Sequence, residues 1–129
     1  MLAKDIMTRD IILVKPQMTV KQLAMLLIKN QISGAPVAAE DGKIIGVVSE
    51  ADILAKKARQ VKGIMSTKVV SINEETPVEE IARLMATRKI KRLPVMRGDK
   101  IVGIVSRADI VSAVALGKHV AVETPLYDL

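Results

Sequence analysis

Apolar residues recur along this chain in two spacings. Val20, Leu23, Ala24, Leu27 and Ile28 fall at i, i+3, i+4, i+7 and i+8, the single buried stripe of an amphipathic helix. Thr19 stands at its N-cap, with Gln22 at the capping-box position. Val78, Ile81, Ala82, Met85 and Ala86 repeat the stripe. There Thr76 is the expected cap, with Pro77 at the first helical position and Glu79 closing the box. The second spacing is short and rich in β-branched residues. Ile11 to Val14, Ala35 to Ala39 and Lys43 to Val48 read as strands, as do Val69 to Ile72, Leu93 to Met96 and Lys100 to Val105. Glu40-Asp41-Gly42 and Gly98-Asp99 turn the two hairpins. Further helices are expected from Ser49 to about Arg59 and from Ser106 to just before Gly117. Ala3 to Thr8 forms a short lead-in with helical character, and Met25 and Met85 read as core filler.

These elements belong to a duplication. Ile6-Met7-Thr8 returns as Ile64-Met65-Ser66, Val20 as Val78, and Pro36-Val37 as Pro94-Val95, each at an offset of 58 residues. Gly46, Ser49 and Asp52 return as Gly103, Ser106 and Asp109, at an offset of 57. The lost residue falls in the hairpin turn, where a deletion is cheapest. The expected units are residues 1–60 and 61–117, followed by a tail over 118–129 to which no element is assigned.

The longest shared stretch is Gly46-Val-Val-Ser-Glu-Ala-Asp52, echoed as Gly103-Ile-Val-Ser-Arg-Ala-Asp109. Each copy ends a strand, places a Ser at a helix N-cap and an Asp one turn in. Unpaired N–H groups at a helix start suit an anion, and the Asp suits sugar hydroxyls. The same Ser-x-x-Asp spacing is close to a plain capping box. Two copies in matching contexts favour a binding role, with which capping is compatible.

Composition narrows the chemistry. Half of the 129 residues are hydrophobic, enough for a sizeable core and against disorder. There is no Phe or Trp and only one Tyr, so stacking platforms for single-stranded nucleic acid are missing. The absence of Cys excludes disulfides, thiolate metal sites and a Cys nucleophile. The net charge of +6 is spread evenly, +3 over residues 1–60 and +3 over 61–129. No apolar run approaches the roughly 20 residues of a membrane span, and no signal-peptide core follows the N-terminus. A cytoplasmic protein is the expectation.

Taken together, the IMT/IMS lead-ins, the APV/LPV segments, the G-h-h-S-x-x-D endings and the duplication resemble the CBS domain pair. The resemblance covers about residues 1–115. It implies an α+β fold, a tandem pair of β-α-β-β-α units packed through their sheets with pseudo-two-fold symmetry. It also implies clefts between the units for adenosine-containing ligands: AMP, ADP, ATP, S-adenosylmethionine or sometimes NAD. No cofactor is required beyond such a regulatory ligand. Asp52 and Asp109 match the ribose-binding Asp of the family, and Ser49 and Ser106 its neighbouring hydroxyl. Ser33, Gly34, Ala35 and Pro36 in the first copy, and Pro94 in the second, match the ligand-lining segment. Flat, disc-like homodimers are common in this family. A homodimer is therefore expected here, covering apolar helix faces around Leu26, Leu27 and Leu84, together with a regulated partner protein of unknown identity.

Arg88-Lys89-Ile90-Lys91-Arg92 packs four positive charges into five residues. Arg88 and Lys89 read as cations complementing a helix C-terminus. Lys91 and Arg92 precede Leu93-Pro94-Val95, where the nucleotide-sensing subunit of AMP-activated kinase, of the same family, has phosphate-binding basic residues. Arg92 offers a planar fork for phosphate. By that resemblance the cleft of Asp52 receives Lys91 and Arg92. The cleft of Asp109 receives the uncharged Ser33 and Gly34, with Arg107 as its nearby cation. Glu74, Glu75, Glu79 and Glu80 read as charge complements to a helix start, and His119 as a solvated or loosely packed side chain. No metal-ligand spacing, P-loop, G-x-G-x-x-G or nucleophile–base pair occurs. The expected function is a regulatory, non-enzymatic binding module for adenosine ligands. The alternatives are a basic nucleic-acid-binding protein and, behind it, a small nucleotide-hydrolysing enzyme.

Overall fold

Each repeat builds one β-hairpin with helices around it, in a computed structural model that describes residues 1–116. In chain order the elements are α1 (Ala3–Ile6), α2 (Val20–Asn30), β1 (Gly34–Ala38), β2 (Ile44–Ser49), α3 (Glu50–Ala55), a 3₁₀ turn (Val61–Gly63), β3 (Ile72–Asn73), α4 (Val78–Arg88), β4 (Arg92–Arg97), β5 (Lys100–Ser106) and α5 (Arg107–Ala115). This is the expected α+β class. The elements fall into two compact units. One is continuous, Ile12–Val69; the other joins Met1–Ile11 to the chain from Val70 onward. The expected tail and His119 lie outside the described residues.

In the continuous unit, β1 and β2 pair antiparallel from Gly34↔Ser49 to Ala38↔Ile44. Gly42 turns the hairpin at φ +87°, a conformation glycine adopts without a Cβ penalty. Thr19 and Gln22 cap α2 reciprocally: Gln22 N donates to Thr19 Oγ1 at 3.1 Å, and Thr19 N to Gln22 Oε1 at 2.9 Å. Leu23 and Leu27 of α2 pack with Val14, Ala35, Val37, Val48, Val61 and Ile64 in one core. Ile28, expected in the buried stripe, is 78% exposed.

Two further expectations are corrected in this unit. The helix expected from Ser49 to Arg59 ends at Ala55, with Lys56 in extended backbone. Residues 59–62 instead lie along residues 16–20: Val20 N donates to the Arg59 carbonyl at 3.0 Å, and Val61 N to that of Met18 at 2.8 Å. A helix reaching Arg59 would break these bonds. The strand expected over Ile11 to Val14 shrinks to one parallel bridge, Val14↔Val37. Extending it to Ile12 would need an N–H from Pro36, which has none.

The discontinuous unit holds a three-stranded sheet in the order β3-β4-β5, with β3 parallel and β5 antiparallel to β4. The strand expected over Val69 to Ile72 is reduced to Ile72–Asn73, and Pro94 imposes the same limit here as Pro36 does above. The expected Thr76 cap is also corrected. Thr76 Oγ1 accepts from Asn73 N at 3.1 Å and closes the preceding turn. Pro77 is the N-cap of α4, and Val78 N donates to the Met1 carbonyl at 3.0 Å. Val78, Ile81, Ala82 and Met85 fill the core as expected, together with Ala3, Met7, Ile72, Leu93, Val95, Val105 and Ile110. Glu74 and Glu75 have specific partners: Arg97 grips Glu74 through Nε and an Nη at 2.6 and 2.8 Å, and Lys4 meets Glu75 at 2.9 Å. The guanidinium beside it holds the Glu74 carboxyl below the usual carboxylate range.

The compact units and the sequence repeats are therefore cut differently. The lead-in of the second repeat closes on the hairpin of the first, through a Val47↔Ser66 bridge. That of the first repeat closes on the hairpin of the second, through Thr8↔Ile104. The glycine that opens each shared stretch makes room for this. A Cβ on Gly46 would stand 2.8 Å from the Ser66 carbonyl oxygen, and one on Gly103 would strike the Met7 side chain.

Candidate ligand-binding turns

The two Ser-x-x-Asp stretches take up similar local geometry, the serine N–H donating to the aspartate Oδ2 in each. In the continuous unit β2 ends at Ser49, whose N–H donates to Asp52 Oδ2 at 2.9 Å; the hydroxyl lies 3.4 Å from the same oxygen. In the discontinuous unit Ser106 N donates to Asp109 Oδ2 at 2.7 Å and Ser106 Oγ at 3.1 Å, while Asp109 N donates back to Ser106 Oγ at 3.3 Å. Each carboxylate is thus fixed in orientation by its own serine, partly buried, with its other oxygen directed elsewhere. A carboxylate has acceptor capacity left after such bonds, which a vicinal diol can use.

The strand before each turn fixes the neighbouring candidates. Gly34 is the β-partner of Ser49, and Glu50 N donates to the Ser33 carbonyl at 2.9 Å. Ala35 and Pro36 follow, buried, in β1. In the other unit Arg92 is the β-partner of Ser106, and Arg107 N donates to the Lys91 carbonyl at 3.0 Å. Pro94 is buried in β4. Within each unit, then, the segment before the inner strand lies beside the Ser-x-x-Asp turn of the same repeat. Lys91 and Arg107 are exposed and Arg92 is half-buried. Arg88 ends α4, and Lys89 forms its left-handed C-cap at φ 53°, the dipole-complementing position expected of both.

One participant was not foreseen. Lys56 Nζ lies 3.2 Å from Asp52 Oδ1 and donates to the Ile64 carbonyl at 3.1 Å. The i, i+4 spacing of Asp52 and Lys56 is the signal that carries it. Among the described residues, no group of three or more His, Asp or Glu side chains forms a metal site. No helix there is long and apolar enough to cross a membrane.

Two copies of a Ser–Asp turn, each following the second strand of a hairpin, mark a duplicated α+β unit. The CBS domain profile matches residues 3–59 and 61–116, and the chain belongs to this family. The CBS domain-containing protein YhcV of Bacillus subtilis (strain 168) is 32% identical over 114 residues, covering 83% of this chain and 81% of that protein. Several longer relatives are named as enzymes, and the chain spans only 22% or 32% of their length. Among solved structures, the CBS domain pair of protein MJ0100, in complex with 5′-methylthioadenosine and S-adenosyl-L-methionine, aligns at TM-score 0.86 and 30% identity, covering 92% of this chain and 98% of that one. CBSX2 in complex with AMP aligns at TM-score 0.84 and 28% identity, with the same coverage.

Proposed function

We propose that this chain is a regulatory module that binds adenosine-containing ligands and passes their occupancy to a partner protein. The observation that carries this reading is the pair of serine-oriented carboxylates, Asp52 and Asp109, in turns of matching geometry. Each is the ribose-hydroxyl acceptor of a binding site, with Ser49 or Ser106 beside it. Ser33, Gly34, Ala35, Pro36 and Pro94 line the ligand. Lys91, Arg92 and Arg107 supply the cations for phosphate. AMP and S-adenosylmethionine, held by proteins of the same fold, support an adenosine-containing class, which ADP and ATP share. Binding favours one arrangement of the module, and the partner reads the change in population.

The module works as a cytoplasmic homodimer. In the continuous unit, Ala24, Leu27, Ile28, Ile53 and Leu54 line an open groove of about 440 Å³ between α2 and α3. Ile28 is 78% and Leu54 87% exposed there, and a second copy covers them. Of the faces expected around Leu26, Leu27 and Leu84, that of Leu27 borders this groove, with Leu27 itself largely buried in its own unit.

A thermal-shift panel of adenosine, AMP, ADP, ATP and S-adenosylmethionine tests the ligand class. A ligand that binds only the folded state raises the melting temperature by mass action. At least one member should do so in a dose-dependent way, while guanosine and cytidine nucleotides should not. Flat melting curves across the panel at millimolar ligand would contradict the reading.

A further inference from the structure

The two carboxylates differ in a way the repeat does not impose. Both turn Oδ2 toward their own serine. Four residues beyond Asp109 stands Ala113, buried in its unit, and Asp109 Oδ1 has no hydrogen-bonding side chain among the described residues. Four residues beyond Asp52 stands Lys56. Because α3 stops at Ala55, Lys56 leaves the helix in extended backbone. Its ammonium then bridges Asp52 Oδ1, at 3.2 Å, and the Ile64 carbonyl, at 3.1 Å. The Asp52 side chain is 18% exposed and that of Lys56 47%. The ion pair is therefore open enough to exchange with a ligand.

A ribose diol needs acceptors on a carboxylate. At Asp52 one oxygen accepts from Ser49, and the approach to the other is held by an ammonium tethered from two sides. We propose that Lys56 is an internal competitor for Asp52: a ribose hydroxyl reaches Oδ1 by displacing the ammonium, so that the ion pair lowers the affinity of this turn for a nucleoside. This rests on the ribose role proposed above for the two aspartates. Partly exposed pairs are modest in strength, which sets the expected effect at about threefold in affinity. They also weaken with salt. Adenosine carries no charge, so its own attraction to the protein is insensitive to salt, and any salt dependence of its binding reports the pair.

The test is calorimetry with adenosine on the intact chain and on Lys56→Met, Asp52→Asn and the double variant. Met keeps the aliphatic stem and removes the charge. Lys56→Met should tighten about threefold the binding step that Asp52→Asn weakens, and should change nothing in the Asp52→Asn background. Adenosine affinity at that step should rise with sodium chloride in the unaltered chain and stay flat in Lys56→Met. Should Asp52→Asn weaken binding while Lys56→Met leaves it unchanged or lower, the competitor role falls and the ribose role stands. Should Asp52→Asn leave adenosine binding untouched, both fall together. The salt series on the unaltered protein needs no variant to fold, and a flat or falling affinity there overturns the proposal by itself.

Discussion

Replacing Gly46 by Ala tests the exchange of lead-ins between the repeats. The added methyl would sit 2.8 Å from the Ser66 carbonyl oxygen, 2.9 Å from Met65 Sδ and 3.3 Å from Met65 Cγ. The methionine is flexible and can move aside. The carbonyl cannot, because Val47 N donates to it at 2.9 Å and Ser66 N donates back to Val47 at 2.9 Å. Relieving the clash means stretching both bonds by several tenths of an ångström. Overpacking of this kind costs about 1–3 kcal/mol, which for a chain of this length lowers the melting temperature by roughly 3–15 °C. Gly103→Ala is the internal control. The three atoms nearest its methyl all belong to the Met7 side chain, whose Sδ and Cγ can rotate away, so its loss should be the smaller of the two. Thermal unfolding followed by circular dichroism measures both. Gly46→Ala melting with the unaltered chain, or Gly103→Ala melting lower than Gly46→Ala, would refute the packing argument.

Three further outcomes are expected. Replacing Lys91 and Arg92 by Ala should weaken AMP more than adenosine, because their attraction acts on the phosphate alone; calorimetry showing equal losses would point to a structural effect instead. Ile28→Glu with Leu54→Glu should turn a dimer into a monomer by light scattering at micromolar concentration, with the melting profile of each unit retained. The Glu74 carboxyl is held below its ordinary value of 4.5 by Arg97. Its contribution to stability is therefore full above that value and lost as the pH falls through the depressed one. Arg97→Ala should melt slightly lower than the unaltered chain at neutral pH and converge with it in acid. The difference is small, since Arg97 is 68% exposed.

Local signals in the sequence are legible where one side chain decides the outcome. Thr19 and Gln22 cap α2 as their spacing requires, and Gly42 and Gly98 turn the hairpins at positive φ. Val78, Ile81, Ala82 and Met85 fall on one helical face and are buried in the core of their unit. What sequence spacing did not carry was anything set by distant partners. Thr76 looked like a helix cap, yet Asn73 claims its hydroxyl. The α3 helix lost its last turn to backbone bonds with residues 16–20. Both short first strands were cut by prolines in the neighbouring strand, Pro36 and Pro94, that periodicity does not register. Gly46 and Gly103 were legible as the start of a motif, but the close approach that requires them comes from a lead-in about 20 residues downstream of one and far upstream of the other. At the candidate site the Ser–Asp pairs were visible through their duplication. Lys56 has no counterpart in the second repeat, so only its i, i+4 spacing from Asp52 marks it.

Calorimetric titration of Asp52→Ala and Asp109→Ala with AMP decides whether the two carboxylates hold the ribose of an adenosine ligand, as proposed. A charge-assisted hydrogen bond of about 1.5–3 kcal/mol converts to a loss of roughly tenfold or more at the affected turn. Each variant should therefore lose affinity or stoichiometry at one turn, and the double variant should lose AMP binding, with the circular dichroism spectrum of the unaltered chain retained. Unchanged affinity and stoichiometry in both folded single variants would leave the two aspartates as helix caps and contradict the account.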